Sequence, residues 1–122
     1  MPKILIIDDY LDLVNFFSVL LEREGFEVKG ISRTKGIESN IDHFNPDLVL
    51  LDVMLRDDGR EICKEIKQMN KAIHIILMST NPKLLENYLE YNADDIIEKP
   101  FDNDEVLNKI IQILSSKLIS VS

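Results

Sequence analysis

Polar and charged residues stand at the ends of four short apolar runs, and their types suit the binding of a cation and a phosphoryl group. Runs of this kind, rich in branched side chains, are typical of buried strands. The residues that close or follow these runs are Asp8, Asp9, Asp52, Ser79, Thr80, Lys99 and Pro100. If the strands are parallel neighbours, these carboxylates, hydroxyls and one ammonium meet at a single edge of a sheet.

Carboxylates gathered in this way require a cation. Two charges 4 Å apart repel by about 1 kcal/mol in water and several-fold more where solvent is scarce. Mg²⁺ is typically held by one or two carboxylates and waters, and Lys99 adds one more positive charge. In such a site an aspartate can form an aspartyl phosphate. Ser79 could then donate a charge-assisted hydrogen bond, worth about 1.5–3 kcal/mol, to a phosphoryl oxygen.

Strands and helices alternate along the sequence and would position these residues. Strand-like segments cover 3–7, 26–31, 47–53, 74–78 and 95–98. Segments with helical spacing or helix-end signals cover 11–24, 34–44, 59–69, 82–91 and 102–118. This alternation predicts an α/β fold, a doubly wound parallel sheet of five strands with five helices on its two faces.

Local signals support two of these helices and part of the core. Asn81 and Pro82 suit the N-cap and first position of the helix to about residue 91. Asp102 suits the start of a capping box that opens the last helix. Phe16 and Phe17, within the first helix, are both predicted to pack in the core.

Composition and charge exclude several classes of function. The chain has 122 residues, 45% hydrophobic and 30% charged, which fits one globular domain. Its net charge of −8 argues against direct binding to nucleic acid or an anionic membrane surface. No apolar run approaches the roughly 20 residues of a membrane helix. With Cys63 as its one cysteine and no signal-peptide pattern in "MPKILIIDD", the expected compartment is the cytoplasm.

Four motifs in a fixed order carry a resemblance to a known family. They are "ILIIDD", "LVLLDVML…DGREIC", "ILMS" and "ADDIIEKPF". Each motif is weak by itself, but the ordered set, which covers essentially the whole chain, resembles the receiver domain of two-component response regulators. The resemblance implies a flavodoxin-like receiver fold. It also implies a domain that catalyses transfer of a phosphoryl group from the phosphohistidine of a histidine kinase to its own aspartate.

The resemblance assigns the acceptor and the metal ligands residue by residue. It implies that Asp52 accepts the phosphoryl group and contributes to binding Mg²⁺. It implies that Asp9 binds Mg²⁺ directly and that Asp8 binds mostly through water. The main-chain carbonyl of Met54 would complete the protein ligands.

The same resemblance assigns the residues around the phosphoryl group. Lys99 would hold a phosphoryl oxygen, and Ser79 would be the hydroxyl that switches on phosphorylation. The Lys99–Pro100 peptide would be cis, an isomer that proline makes accessible.

Five features depart from the family pattern. Ile96 occupies a position that is usually aromatic and that moves inward on phosphorylation. Thr80 is larger than the usual small residue after the switch hydroxyl, and Arg56 stands where proline is frequent. The loop after Asp52 is one residue shorter than is common, and the segment 79–99 is about two residues shorter.

The predicted function is a phosphoacceptor in a two-component phosphorelay. Such a domain is not a turnover enzyme, because it catalyses only its own phosphorylation and slow dephosphorylation. The predicted partners are a sensor histidine kinase or phosphotransfer protein and a downstream effector, and the predicted state is a monomer or weak dimer. Residues 1–122 are expected to form one receiver domain, with a core of about 2–118 and no output domain.

Three alternatives stay open at this stage. A pseudo-receiver would bind partners without being phosphorylated, and Ile96 and Thr80 favour it slightly. A magnesium-dependent phosphohydrolase would need a second acid two residues after Asp52, where Met54 stands. A mononucleotide-binding protein would need a phosphate loop after the first strand, where "DDYLD" is acidic instead.

Overall fold

Strands and helices alternate throughout the part of the chain that the structure describes. The computed structural model describes residues 2–33 and 35–119, with side chains as far as residue 115. The strands are β1 (Lys3–Ile7), β2 (Glu27–Ile31), β3 (Leu48–Asp52), β4 (His74–Ser79) and β5 (Asp95–Glu98). The α-helices within these residues are α1 (Leu11–Arg23), α2 (Ile37–Phe44), α3 (Gly59–Met69) and α4 (Asn103–Ile119). Two 3₁₀ helices, Pro82–Leu85 and Tyr88–Tyr91, lie between β4 and β5.

The strands form one parallel sheet in the order β2-β1-β3-β4-β5. The predicted doubly wound α/β fold of five parallel strands is therefore confirmed. Because the order reverses between β1 and β3, the carboxyl ends of these two strands form the crevice where such sheets bind ligands. Within the described residues, no helix is long and apolar enough to cross a membrane.

Alternate residues of the central strands pack on opposite faces of the sheet, as the strand period of two requires. Leu5 and Leu51 face the layer that contains α2 and α3. Ile6 and Leu50 face the layer that contains α1 and α4. All five residues of β3 are buried. A strand buried on both faces reads as a continuous apolar run, which explains why β3 was recognisable in the sequence.

The first helix contributes one of its two neighbouring phenylalanines to the core. Phe17 is buried, and its ring stacks on Phe101 with centroids 4.9 Å apart. Phe16 is 44% exposed, so the prediction that both rings are core residues is wrong for Phe16. Adjacent residues of an α-helix point about 100° apart, which prevents both rings from facing the sheet.

The connection between β4 and β5 differs from the predicted single helix over 82–91. Asn81 caps its start by accepting a hydrogen bond from the Lys83 N–H, as predicted. Two 3₁₀ helices follow in place of an α-helix, with a break at Asn87. A 3₁₀ helix rises about 2.0 Å per residue against 1.5 Å for an α-helix. The two 3₁₀ helices therefore cover more distance per residue between β4 and β5 than an α-helix would.

The second helix begins later than the sequence predicts. The predicted start at Thr34 lies outside the described residues, and α2 begins at Ile37. Gly36 precedes it with φ +81°, a left-handed conformation that glycine adopts without steric cost. Ile37 and Ile41 then bury the inner face of this short helix.

The first turn of α3 lies directly against the end of β3. The Asp58 side chain caps this helix by accepting from the Arg60 N–H at 2.9 Å, and the Gly59 N–H donates to the carbonyl of Val53. A methyl group at Gly59 would lie 2.1 Å from the carbonyl oxygen of Asp52, which is main chain and cannot rotate away. Glycine is therefore required for the loop after Asp52 to close.

We expect Gly59→Ala to destabilise the fold by about 1–3 kcal/mol, because the added methyl overlaps backbone atoms. In an open helix the same change would instead be favourable by up to about 1 kcal/mol. Urea denaturation measures the free energy of unfolding. Gln68→Ala, on the exposed side of the same helix, is the control and should change stability by less than about 0.5 kcal/mol. A stable Gly59→Ala variant would contradict this close approach.

Candidate functional site

The carboxyl ends of β1 and β3 bring three acidic residues together. In the parallel register Ile7 pairs with Leu51, so Asp8 and Asp52 follow at neighbouring positions. Carboxylate oxygens of Asp8, Asp9 and Asp52 all lie within 4.8 Å of one another. Asp8 and Asp52 are buried, whereas Asp9 is exposed. The predicted convergence of these carboxylates is therefore present in the structure.

Lys99 provides the positive charge at this cluster. Its ammonium lies 2.7 Å from Asp8 Oδ2 and 3.6 Å from Asp52 Oδ1. The residue follows β5, and its backbone N–H donates to the carbonyl of Ser79 at the end of β4. The Lys99–Pro100 peptide is cis, as the sequence resemblance implied, and Pro100 is exposed.

Backbone donors hold the two buried carboxylates in orientation. Asp8 Oδ1 accepts from the Tyr10 N–H at 2.9 Å, which leaves Oδ2 for Lys99. Asp52 Oδ1 accepts from the Met54 N–H at 3.3 Å. Both bonds are to the residue two positions later, so each loop after a strand turns back on its own carboxylate.

The electrostatic environment disfavours the charged form of Asp52. Burial raises the pKa of the Asp52 carboxyl above its ordinary value, and the negative charge of Asp8 raises this pKa further. Lys99 and the hydrogen bond from Met54 act in the opposite direction without cancelling the rise. The cluster thus holds more negative charge than its one ammonium stabilises, a condition that a bound cation would relieve.

Ser79 lies beside the cluster with its hydroxyl proton available. The register pairs Asp52 with Met78, so Ser79 is the next residue along β4. Its side chain is buried, and its Oγ accepts a hydrogen bond from the Asn81 N–H at 3.0 Å. A hydroxyl that accepts from a backbone amide can still donate its own proton. Ser79 can therefore donate to an oxygen that arrives at Asp52.

Thr80 and Met54 lie next to each other at the mouth of the site. Both are exposed, and Thr80 Oγ1 lies 3.8 Å from Met54 Sδ, which is a weak contact. The backbone of Met54 bridges to Asp58, which shapes the short loop after β3. The expected role of the Met54 carbonyl in metal binding stays a prediction.

Ile96 is a half-buried residue of β5. It packs against the apolar layer beneath α2 and α3, and its carbonyl accepts from Lys109 Nζ at 2.5 Å. A branched aliphatic side chain in this position has no polar group to exchange between buried and exposed states. Its effect on switching stays a prediction.

The sequence did not reveal one arrangement near the site. Asp58 and Arg60 form an ion pair of 2.9 Å, which lowers the pKa of the Asp58 carboxyl. The Arg60 guanidinium and the Lys64 ammonium lie 5.1 and 5.0 Å from the ring centroid of Tyr91. The spacing of Asp58 and Arg60 signalled a cap, but no local pattern pointed to Tyr91, because this contact joins distant segments.

Comparisons with known proteins agree with this geometry. The family model described as the response regulator receiver domain matches residues 4–111. The response regulator ArlR of Staphylococcus saprophyticus is 37% identical over 118 residues, covering 93% of this chain and 53% of that protein. The alkaline phosphatase synthesis transcriptional regulatory protein PhoP of Bacillus subtilis is 34% identical over 115 residues, covering 92% of this chain and 48% of that protein. The chain thus spans about half the length of these relatives.

Solved structures show the same fold. A CheY-like receiver domain protein of Methanospirillum hungatei superposes with a TM-score of 0.90 at 24% identity, covering 98% of both chains, which bears on the fold alone. A two-component response regulator of Clostridium difficile superposes with a TM-score of 0.87 at 26% identity, covering 94% of this chain and 97% of that one. With its strand order, its acidic crevice and the family match over residues 4–111, this chain belongs to the response regulator receiver domains of two-component signal transduction.

Proposed function

We propose that this receiver domain accepts a phosphoryl group on Asp52 in a Mg²⁺-dependent reaction. The donor is the phosphohistidine of a sensor histidine kinase or phosphotransfer protein, and the product switches binding of a downstream effector. One observation carries the proposal. Asp52 is buried next to two further carboxylates and one ammonium, in a cluster whose charge is not balanced by its own residues.

The residues present suit a divalent cation. Three carboxylates and one ammonium leave two negative charges, which a divalent ion neutralises. All the donors are oxygens, the type that Mg²⁺ prefers. Asp8, Asp9, Asp52 and the carbonyl of Met54 would hold the ion. When bound, it supplies positive charge to the phosphoryl oxygens during transfer.

Asp52 is the nucleophile of the proposed transfer. Its Oδ forms a bond to phosphorus while the bond between phosphorus and the donor imidazole nitrogen breaks. The imidazole leaves with that electron pair, which makes it the basic group that takes up a proton. The hydrogen bond from the Met54 N–H and the ion-pair distance to Lys99 fix the orientation of the Asp52 carboxylate before the donor arrives.

Lys99 and Ser79 stabilise the product. The Lys99 ammonium is already within 3.6 Å of Asp52, so it can pair with a phosphoryl oxygen on that carboxylate after a small movement. The Ser79 hydroxyl donates to a second oxygen. Since Lys99 N–H is bonded to the carbonyl of Ser79, a shift of either residue is transmitted to the other. The proposed switch therefore involves the ends of β4 and β5 together.

The extent of the domain, its compartment and its lack of substrate turnover are proposed from its membership of the family. Residues 1–122, with a core of about 2–118, act as the receiver unit. The kinase and the effector are expected in the cytoplasm, where a chain with one buried cysteine and no disulfide framework is suited. The domain modifies itself and does not turn over a substrate as an enzyme would.

Acetyl phosphate with Mg²⁺ should add one phosphoryl group to the chain, because the site supplies both the nucleophile and the charge stabilisation. Intact mass spectrometry measures the gain. It should be absent for Asp52→Asn and strongly reduced without Mg²⁺, whereas Asp57→Asn, in the following loop, should still be modified. Incubation with a phosphorylated histidine kinase tests the protein donor. A chain that binds Mg²⁺ but takes no phosphoryl group from either donor would be a pseudo-receiver.

Asp52→Asn should raise the free energy of unfolding at pH 7 by about 1 kcal/mol, because it removes a buried charge next to Asp8. The raised pKa means that the folded state binds the Asp52 proton more tightly than the unfolded state. The contribution of Asp52 to the free energy of unfolding is therefore fully present below the ordinary pKa near 3.9. It is lost as the pH rises through the pKa of Asp52 in the folded state. The difference in the free energy of unfolding between Asp52→Asn and the wild type should accordingly become smaller toward low pH.

Urea denaturation across pH measures this effect, and Mg²⁺ provides an independent check. At 100 times its Kd the ion should stabilise the wild type by about 2.7 kcal/mol and the Asn variant by less. Asp42→Asn, at an exposed position of α2, is the matched control that removes a carboxylate outside the cluster. An Asp52→Asn variant that is less stable than wild type at pH 7 would show that the cluster is balanced without a metal.

Met54→Asn should shorten the lifetime of the phosphorylated form, because a polar side chain at the mouth of the site can orient an attacking water and a thioether cannot. We expect an increase of several-fold in the decay rate, measured after removal of the donor. Met54→Leu keeps the apolar character and should decay like wild type. Equal rates for Asn, Leu and Met would show that this position does not control hydrolysis.

A further inference from the structure

The side chain of Arg60 restrains Asp58, the last residue of the loop that follows Asp52. The Arg60 Nε and one terminal nitrogen donate to the two carboxylate oxygens of Asp58, at 2.9 to 3.3 Å. A bidentate pair of this kind fixes direction as well as distance. The helix cap itself uses the Arg60 backbone N–H, which any residue except proline would supply. The guanidinium is therefore a second restraint on Asp58, and this restraint depends on arginine.

Tyr91 in turn holds the guanidinium of Arg60. The central carbon of the guanidinium lies 5.1 Å from the Tyr91 ring centroid, and the Lys64 ammonium lies 5.0 Å from the same centroid. Like charges four residues apart on a helix repel each other, whereas the face of an aromatic ring attracts both cations. Tyr91 is half-buried at the end of the second 3₁₀ helix, so a distant segment of the chain supplies this ring.

The position of Asp58 affects the main chain at Met54. The two residues face each other across an antiparallel bridge. The Met54 N–H also donates to Asp52 Oδ1 at 3.3 Å, which ties the same residue to the acceptor carboxylate. Met54 and residues 56–58 are exposed, so burial restrains these positions little. The course of the loop at Met54 therefore depends on where Asp58 is held.

We propose that Arg60 is a positioning residue for Mg²⁺ binding, and this rests on the phosphoacceptor function proposed above. Met54 contributes its main-chain carbonyl to the proposed ligands, and Arg60 restrains that carbonyl through Asp58. Tyr91 keeps the guanidinium in place, so the loss of its ring also weakens Mg²⁺ binding. Because such coupling is reciprocal, a bound ion also stabilises the contact between Arg60 and Tyr91. The far end of the connection between β4 and β5 is thereby coupled to the metal site.

Charge alone predicts the opposite effect. Arg60 and Lys64 are both cations, so neutralising either one should leave the affinity for Mg²⁺ unchanged or raise it slightly. A positioning role instead makes the loss of Arg60 lower this affinity. Lys64→Gln is the matched control, because it removes one cation from the same ring and leaves the pair of Arg60 with Asp58 in place.

The experiment titrates Mg²⁺ alone into the unphosphorylated protein and follows the backbone amides of Asp9 and Met54 by NMR. Arg60→Gln and Tyr91→Leu should each raise the Kd about three- to fivefold. Tyr91→Phe keeps the ring face, and Lys64→Gln keeps Arg60, so both should change the Kd by less than about 1.5-fold. The double variant of Arg60→Gln and Tyr91→Leu should lose no more affinity than Arg60→Gln, because both changes remove the same restraint.

A second pair of measurements separates positioning from a general loss of stability. Urea denaturation without Mg²⁺ shows that each variant is folded under the conditions of the titration. The rate of phosphorylation by acetyl phosphate is then measured against Mg²⁺ concentration. For Arg60→Gln the Mg²⁺ concentration that gives half the maximal rate should rise by the same factor as the Kd. The rate at saturating Mg²⁺ should stay within about twofold of wild type, because Arg60 does not contact the reacting atoms.

The reciprocal effect has its own readout at the tyrosine rings. Addition of Mg²⁺ to the wild type should shift the ring signals of Tyr91 more than those of Tyr88, which packs against the apolar layer in the same connection. Arg60→Gln should remove this difference between the two rings. Equal shifts of Tyr88 and Tyr91 in the wild type would overturn the coupling to the connection.

The outcomes distinguish this proposal from the phosphoacceptor function. An unchanged or lower Kd for Arg60→Gln would overturn the positioning role, and a Tyr91→Phe variant as weak as Tyr91→Leu would overturn the role of the ring face. If the Kd values differ as expected but no donor modifies Asp52, the phosphoacceptor proposal fails and the positioning role stands. If Asp52 is phosphorylated and all the Kd values are equal, the positioning role fails alone. A wild type that binds no Mg²⁺ would overturn both.

Discussion

Repulsion between the buried carboxylates of Asp8 and Asp52 is the constraint on which the rest of this structure depends. These residues lie at the ends of adjacent strands, which are held together by ladder hydrogen bonds and by apolar layers on both faces. The two charges cannot move apart without breaking the centre of the sheet. Lys99 offsets this repulsion, because its ammonium lies 2.7 Å from Asp8 Oδ2. It follows β5, which lies two strands beyond β3 in the sheet. The order of the sheet is thus what allows one ammonium to contact both carboxylates.

The sequence revealed the strands and the strand-end residues because their signals are local. A strand buried on both faces is a continuous apolar run, and the residue after it lies at a defined edge once the strands are parallel. Asp8, Asp52 and Ser79 could be located on this basis. The meeting of Asp8 and Asp52 with Lys99 was inferred from topology, and the structure places these three side chains together. Their chemical roles follow from the family resemblance and are not visible in the geometry alone.

What could not be predicted depends on distances between segments. The 82–91 segment has a good helix cap, but it forms two 3₁₀ helices with a break at Asn87. Phe16 and Phe17 are equally apolar, and the orientation of α1 alone decides which is buried. The contact of Arg60 with Tyr91 gives no signal in the local sequence, because it joins residues that are far apart along the chain.

The connection between β4 and β5 begins beside the acidic cluster, at Ser79. Over residues 80–94 the buried side chains are Leu85 and Ala93, and the half-buried Leu84 and Tyr88 pack against the same apolar layer. Ser79 begins the connection, and its carbonyl is bonded to Lys99 at the other side of the site. A displacement of Ser79 would therefore reach Lys99 directly through this hydrogen bond, and the contacts of Tyr91 with Arg60 and Lys64 join the other end of the connection to α3.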